Sequence, residues 1–519
     1  MFFNFIFFSS INFFSKYSMF LNLDVIENFS IMNIYSQIYF FIPEIFFIIF
    51  ILLALVLGIQ SKKKEKNINI IINLNILNIF FLFLLYLNFN INYINCFEGF
   101  FQMNNLIWFL KLFICFSYFL ILFLFIFIKK FFNIFEYIIL LNISVLGMLF
   151  FISSNDFISF YLTLELQTLP LFLISAISLD KYITGHAEVG IKYYIMGALS
   201  SIFLLFGIVL MYSHTGLTNF NDLKVFFYFY NLDNYIFLSF IFILIGLFFK
   251  IGLAPFHNWL PDVYSGVSVI TMGCFALLPK ISIFGGFLNI FYNFLNFWFL
   301  KGFSSWFYVF IIFSLLSLVI GSLGALKQNN LKKLFAYSAI SHGGYLILIL
   351  FLTFENYFTI EIFIFYLIVY ILLNFSLFFL INNLKKINNL KQLKNISDLK
   401  GLSEQNLGLA LHLSLTLFSL AGIPPLAGFF SKILLLQYLV EYNLFFVVFI
   451  IISTSLISAY YYLRIIVLMF FYKQTNKNFL IEFNFFNSMI VGLITFFNLS
   501  IYFFFDLYIE FIKFYILCI

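Results

Sequence analysis

The chain has 519 residues, of which 64% are hydrophobic and 9% charged, and its formal net charge is +6. That much apolar surface exceeds what one water-soluble core can bury, so the solvent is lipid and a soluble enzyme is excluded. The positive charge sits mainly on lysines in short loops rather than on a basic face, which leaves nucleic-acid binding without support.

Residues 1–36 hold a Phe-rich apolar run with Lys16 as their only base, unlike an Arg- and Ser-rich amphipathic transit peptide. They are read as an N-terminal extension whose structure the sequence does not define. Residue usage favours Phe, Ile, Asn, Lys and Tyr, all written with A/T-rich codons, and Arg464 is the only arginine against 26 lysines. Synthesis inside an organelle is therefore expected, with an A/T-rich bacterium as the alternative.

Apolar segments follow near 38–59, 69–88, 105–128, 134–152, 156–179, 190–213, 235–256, 268–294, 305–326, 331–352, 358–383, 406–439, 444–471 and 486–514. Each is long enough to cross ~30 Å of hydrocarbon as helix. None shows the ten-residue alternation of barrel strands, so the expected fold is all-α and polytopic, with about fourteen transmembrane helices. Lys62, Lys63, Lys64 and Lys66 follow segment 1, Lys129 and Lys130 segment 3, Lys181 segment 5, and Lys327 segment 9. Lys385, Lys386, Lys391, Lys394 and Lys400 follow segment 11, and Lys473 and Lys477 follow segment 13, whereas the opposite loops offer mainly Lys224 and Lys301. Loops after odd segments are thus predicted to face the matrix or cytoplasm, and both termini the other side.

Two segments carry helix breakers at matching places, Gly252 to Pro255 in segment 7 and Gly422 to Pro425 in segment 12. They stand five crossings apart, and an odd offset reverses direction. Two inverted five-helix repeats are expected, 134–294 and 305–471, preceded by three helices within 37–133 and followed by a last helix within 472–519. A pair of packing kinks is the simpler alternative.

An ionised side chain in mid-membrane costs roughly 2.5–3.5 kcal/mol on insertion scales, so each one retained is a functional candidate. Four stand out: Glu165 in segment 5, Lys250 at the end of the run before the first break, Lys280 in segment 8, and Lys432 just after the second break. A carboxylate with three separated ammonium groups suits proton relay, because burial brings charged and neutral forms close in energy and a moving opposite charge tips the balance. The competing readings are a static Glu165–Lys250 ion pair, a structural Lys280 and a snorkelling Lys432.

His257, in the first break, and His342, in segment 10, are further relay candidates that could equally hydrogen-bond a carbonyl. Lys192 at the head of segment 6 could admit protons toward Glu165 or simply follow the loop-charge bias. Asp156 and Asp262 are read as helix caps or loop anchors, and His186, His214 and His412 as loop or packing residues. Glu136 at the head of segment 4 could serve a neighbouring subunit or favour the helix N-terminus. Cys96, Cys115, Cys274 and Cys518 form no CxxC pair, and no GxGxxG or GxxxxGK stretch occurs, so cluster, haem, metal and dinucleotide binding lack support.

The stretches FKIGLAPFHNWLPDVYSG (249–266), LKKLFAYSAISHGGYLI (331–347), DLKGL (398–402) and LAGIPPLAGFFSK (420–432), with IPEIFF near segment 1 and NDFISFYLTLELQTLPLF, resemble the subunit 2 family of respiratory complex I. The likeness covers roughly residues 40–475. Pro279 before Lys280, and GIPPLAGF before a lysine where subunit 4 has a glutamate, separate it from subunit 4; subunit 5 carries a lateral helix after segment 14, for which this chain leaves no room. The resemblance implies a non-redox, proton-translocating subunit of NADH:ubiquinone oxidoreductase with no independent catalytic activity. Its proton-channel roles fall on Glu165, Lys250, Lys280 and Lys432. It implies FMN, iron-sulfur clusters and ubiquinone in other subunits, no cofactor bound by this chain, and as partners the other membrane-arm subunits, accessory subunits and lipids such as cardiolipin. The expected location is the mitochondrial inner membrane, with a bacterial plasma membrane as the alternative. The family also shares its fold with multisubunit cation/proton antiporters, which are the alternative function.

Overall fold

The computed structural model describes residues 37–61, 65–87, 94–126, 134–177, 185–229, 234–290, 305–352, 358–386, 393–472, 479–481 and 485–516. The extension 1–36 and the loop lysines at 62–64, 129, 130, 181, 301, 391, 473 and 477 lie outside them, as does Cys518.

In lipid every backbone amide must find its partner within the protein, and long apolar runs do so as helices. Helices α1 (Ile42–Ser61) and α2 (Glu65–Leu87) lead to a short antiparallel hairpin of β1 (Ile94–Cys96) and β2 (Phe101–Met103). There follow α3 (Asn105–Ile126), α4 (Ile134–Ser153), α5 (Phe157–Ala176), α6 (His186–Thr215), the short α7 (Phe220–Phe229) and α8 (Asn234–Ile251). The chain continues through α9 (Trp259–Gly266), α10 (Val269–Ile290), α11 (Ser305–Leu326), α12 (Leu331–Leu352) and α13 (Phe358–Asn382). After β3 (Leu384–Lys386) and the one-turn α14 (Leu402–Gln405) come α15 (Leu407–Ala421), α16 (Ala427–Glu441) and α17 (Phe445–Phe471). Strand β4 (Phe479–Ile481) pairs with β3 before the last helix, α18 (Phe485–Ile516).

Eleven of these helices are long and apolar enough to span a membrane, and three shorter apolar ones, in α1, α2 and α15, bring the described spans to the fourteen expected. Both anticipated breaks are present. Helix α8 stops at Ile251, where Gly252 takes a positive φ of 80°, and α15 stops at Ala421, where Gly422 takes 86°. Only glycine adopts this left-handed turn without strain, and each is followed by a further helix, the eight-residue α9 and the fifteen-residue α16.

Every residue of α10 is buried, and α12 and α13 are almost as enclosed, so these three form the core of the bundle. Close approach of backbones is bought with glycine in both halves: a Cβ on Gly207 of α6 would stand 2.6 Å from the Ser239 carbonyl of α8, and one on Gly344 of α12 would stand 2.9 Å from the Ser314 carbonyl of α11. Helices α6 and α17 turn long apolar stripes outward, including Ile195, Ile202, Val209, Leu456 and Tyr460.

The hairpin and α7, which periodicity alone does not reveal, meet at the lysine-poor end of the bundle. Gln102 of β2 donates to Asn289 at the end of α10, and Asn289 donates to the carbonyls of Ile152 (3.2 Å) and Ser154 (2.8 Å). Asn219 donates to the Gly99 carbonyl at 2.8 Å. Asp156 caps α5 by accepting from the Ile158 amide at 2.7 Å and accepts from Thr218 at 2.7 Å, the capping role its position predicts. This amide-rich layer closes the bundle about two and a half turns of helix beyond Lys280.

Candidate proton pathway

Glu165 stands midway along α5, on the border between its buried side and the outward stripe of Leu162, Leu169 and Leu173. Its Oε1 accepts from Lys250 Nζ at 2.9 Å, and Thr168 Oγ1 donates to its Oε2 at 3.4 Å. Lys250 is placed by the end of α8, one residue before the last helical position, where Trp259 of α9 also donates to the Phe249 carbonyl at 3.1 Å. Between this pair and α10 lies a small cavity of ≈ 20 Å³, lined by Lys250, Gln167, Thr168 and Pro279. It has room for about one water, and Gln167 in its wall accepts from Ser282 on α10 at 2.9 Å.

Lys280, buried in α10, has a different environment. Its ammonium donates to the Ala339 carbonyl of α12 at 2.6 Å and to the Tyr370 hydroxyl of α13 at 3.0 Å, and lies 4.9 Å from the centre of the Tyr370 ring. Among the described residues no carboxylate pairs with it. Neutral oxygens and a π-face can hold a proton there without trapping it in an ion pair.

Beyond Tyr370 a cluster of rings leads to the second break. His342 Nδ1 shares a hydrogen bond of 2.8 Å with the Tyr366 hydroxyl, and its ring lies 5.5 Å from that of Tyr370 and 6.1 Å from that of Tyr345. Lys432 Nζ is 5.3 Å from the Tyr345 ring centre. A second cavity, of ≈ 10 Å³, is lined by His342, Tyr366, Tyr370 and Lys432. Lys432 donates to the carbonyls of Leu420 at 3.1 Å and Ala421 at 2.7 Å, the acceptors that the helix break releases.

Five of the seven predicted residues therefore stand along one internal line: Glu165, Lys250, Lys280, His342 and Lys432. His257 is half-buried in the first break, its ring 6.3 Å from that of Tyr337. Lys192 is an exposed residue paired with Glu188 one turn away at 2.7 Å. Tyr345, Tyr366 and Tyr370 were not among the predicted residues; the signal was available in α13, where two hydroxyls occur at an i,i+4 spacing in an otherwise apolar run. A second ion pair was also missed. Glu44 of α1 and Lys111 of α3 meet at 2.6 Å with neither side chain exposed, and Met103 Sδ lies 3.5 Å from the same ammonium. A charged residue in the second turn of an apolar helix, as Lys111 is, was the available clue.

Residues 154–458, more than half of the chain, match the family described as NADH:quinone oxidoreductase/Mrp antiporter, TM. NADH-ubiquinone oxidoreductase chain 2 of Rhizopus oryzae is 38% identical over 310 residues, 59% of this chain and 58% of that protein. NADH-quinone oxidoreductase subunit N of Parvibaculum lavamentivorans is 33% identical over 356 residues, 68% of this chain and 71% of its own length. The chain thus spans about three fifths of the length of several curated relatives it matches. A chain of the respiratory complex I of Thermus thermophilus has the same fold, with a TM-score of 0.75 at 23% identity, over 90% of this chain and 99% of that one. An all-α bundle with two broken spans, a buried line of lysines and these likenesses lead to one assignment: the chain belongs to the NADH:quinone oxidoreductase/Mrp antiporter transmembrane family, with the chain 2 and subunit N proteins among its relatives.

Proposed function

We propose that this chain translocates protons as a membrane-arm subunit of NADH:ubiquinone oxidoreductase, without redox chemistry of its own. The observation that carries the reading is the internal line from the Glu165–Lys250 pair through Lys280 and the Tyr370–Tyr366–His342 cluster to Lys432. The first lysine is held by a carboxylate and, among the described residues, the next two by neutral acceptors alone, so a proton that leaves Lys250 finds sites that bind it without a counter-ion there. Two small cavities lie along this line, one of ≈ 20 Å³ beside Lys250 and Pro279 and one of ≈ 10 Å³ beside His342, Tyr370 and Lys432, each about the size of one water. A shift of Glu165 toward or away from Lys250 changes how firmly that lysine holds its proton, which gives a switch that an electrostatic input from elsewhere in an assembly can throw.

On this reading FMN, iron-sulfur clusters and the quinone site belong to other subunits, the lysine-rich face is the matrix side, and the membrane is the mitochondrial inner membrane. Residues 134–294 and 305–471 act as two inverted repeats, each broken in its fourth helix. The test is to purify the native membrane assembly and assay inhibitor-sensitive NADH oxidation with proton uptake. An assembly that exchanges Na⁺ for protons, lacks flavin and iron-sulfur subunits and does not oxidise NADH would replace the proposal with a cation/proton antiporter.

A further inference from the structure

We infer that the groove between the 393–406 connection and the end of α17 is a binding site for an anionic phospholipid of the lysine-rich leaflet. The groove encloses ≈ 650 Å³, far more than either cavity of the proton line, and two cations, Lys400 and Arg464, face it. Arg464 donates to Asn329 Oδ1 at 2.9 Å, and Lys400 lies 5.4 Å from the Tyr472 ring centre. Among the described residues neither cation has a carboxylate partner. Arginine has five N–H donors in a fixed fork that matches a phosphate, and one bond to a neutral amide leaves most of them unused.

The groove is held open by the protein itself. The Ile396 amide donates to the Asn329 carbonyl at 2.9 Å and the Leu331 amide to the Lys394 carbonyl at 2.8 Å, which ties the connection to the start of α12. Ser403 Oγ donates to the Met469 carbonyl at 2.9 Å and ties it to α17. A ligand therefore finds a formed site and does not have to order a loop.

The apolar neighbourhood decides between a lipid headgroup and a free phosphate. From the groove, α17 presents Tyr460, Leu463 and Val467 along one outward side, and Leu456 and Phe471 extend that side in both directions. Residues at this three-and-four spacing form a strip on which an acyl chain can lie. A tyrosine and two cations at the headgroup level above a strip of aliphatic residues match a phosphodiester with its tails, whereas free phosphate would leave the strip unexplained.

The test uses the intact assembly in nanodiscs with photoactivatable acyl-chain probes of phosphatidylglycerol and phosphatidylcholine at equal mole fraction. The anionic probe is expected to label the 456–471 peptide roughly tenfold more than the zwitterionic one, as two cations near an anionic headgroup require. K400Q/R464Q should reduce that ratio to near one, and K400R, which keeps both charges and the Arg464 fork, should keep it. Equal labelling by both probes in the unaltered assembly overturns the proposal even if the double variant does not assemble. So does loss of labelling on adding excess inorganic phosphate, which assigns the groove to free phosphate, or cross-linking of the strip to another subunit in place of lipid.

Discussion

Glu165 and Lys250 are joined at 2.9 Å but are unequally placed: the lysine side chain is 4% exposed and the glutamate 21%, so the carboxylate is the partner within reach of the surroundings. On the proposed relay, the half that an outside input can reach is therefore the carboxylate on α5, and the ammonium it would control is inside.

Glu165→Gln keeps the shape of the side chain and removes the charge. If the pair were only a clamp, a stranded Lys250 would cost on the order of 3–5 kcal/mol and the assembly would be lost. A relay lysine can release its proton instead. The expected outcome is near-normal assembly on native gels with depressed NADH-driven proton uptake; normal pumping in that variant would remove Glu165 from the mechanism.

Tyr370→Phe retains the ring beside Lys280 but deletes the hydroxyl at 3.0 Å, while the bond to the Ala339 carbonyl remains. A hydrogen bond to a charged group is worth about 1.5–3 kcal/mol, so proton transfer past Lys280 should slow by roughly tenfold or more. Assembly should hold, because no buried charge loses its last partner. Unchanged proton uptake in reconstituted vesicles would exclude the hydroxyl from the path.

Gly422→Ala tests the second break. The residue takes a positive φ of 86°, and a Cβ there would stand 2.8 Å from Lys432 Cδ. The left-handed conformation alone costs about 1–2 kcal/mol for a residue with a side chain, and the added methyl displaces the lysine. Pumping should fall sharply and assembly in part. Gly408→Ala, within the helix that Gly422 terminates and with a nearest contact of 3.4 Å, should leave both intact and serves as the control.

The Glu44–Lys111 pair is fully enclosed, so removing one member strands the other. Lys111→Met alone should cost about 3–5 kcal/mol and prevent accumulation of the assembly, whereas Glu44→Gln/Lys111→Met should recover much of it. Immunoblots of native gels read the result. Equal loss in the single and double variants would show that the two positions matter separately and not as a pair.

The long apolar runs were legible in the sequence to within about four or five residues, and α11 and α12 begin and end where composition places them, at 305–326 and 331–352. Length and apolarity suffice there because lipid leaves the backbone no other choice. The breaks were legible too, since glycine and proline act locally. Connections were not. The β1–β2 hairpin and α7 are short and owe their form to contacts with each other across more than a hundred residues, and local sequence carries no record of such contacts. Of the tyrosine cluster, sequence shows only the i,i+4 pair Tyr366 and Tyr370; Tyr345 joins them because α12 packs on α13, and Lys192 stands apart on the outward face of α6.

The enclosure of α10 has a consequence for how this chain tolerates mutation. A side chain on α10 meets protein in every direction, so an added ring must displace a neighbour that is itself wedged in place. On the outer sides of α17 and α18, where Phe446, Phe449, Phe471 and Phe503 point away from the bundle, the packing partner is a liquid that re-forms around any shape. A phenylalanine added on those sides is therefore expected to cost little, whereas one added to α10 must push packed protein aside.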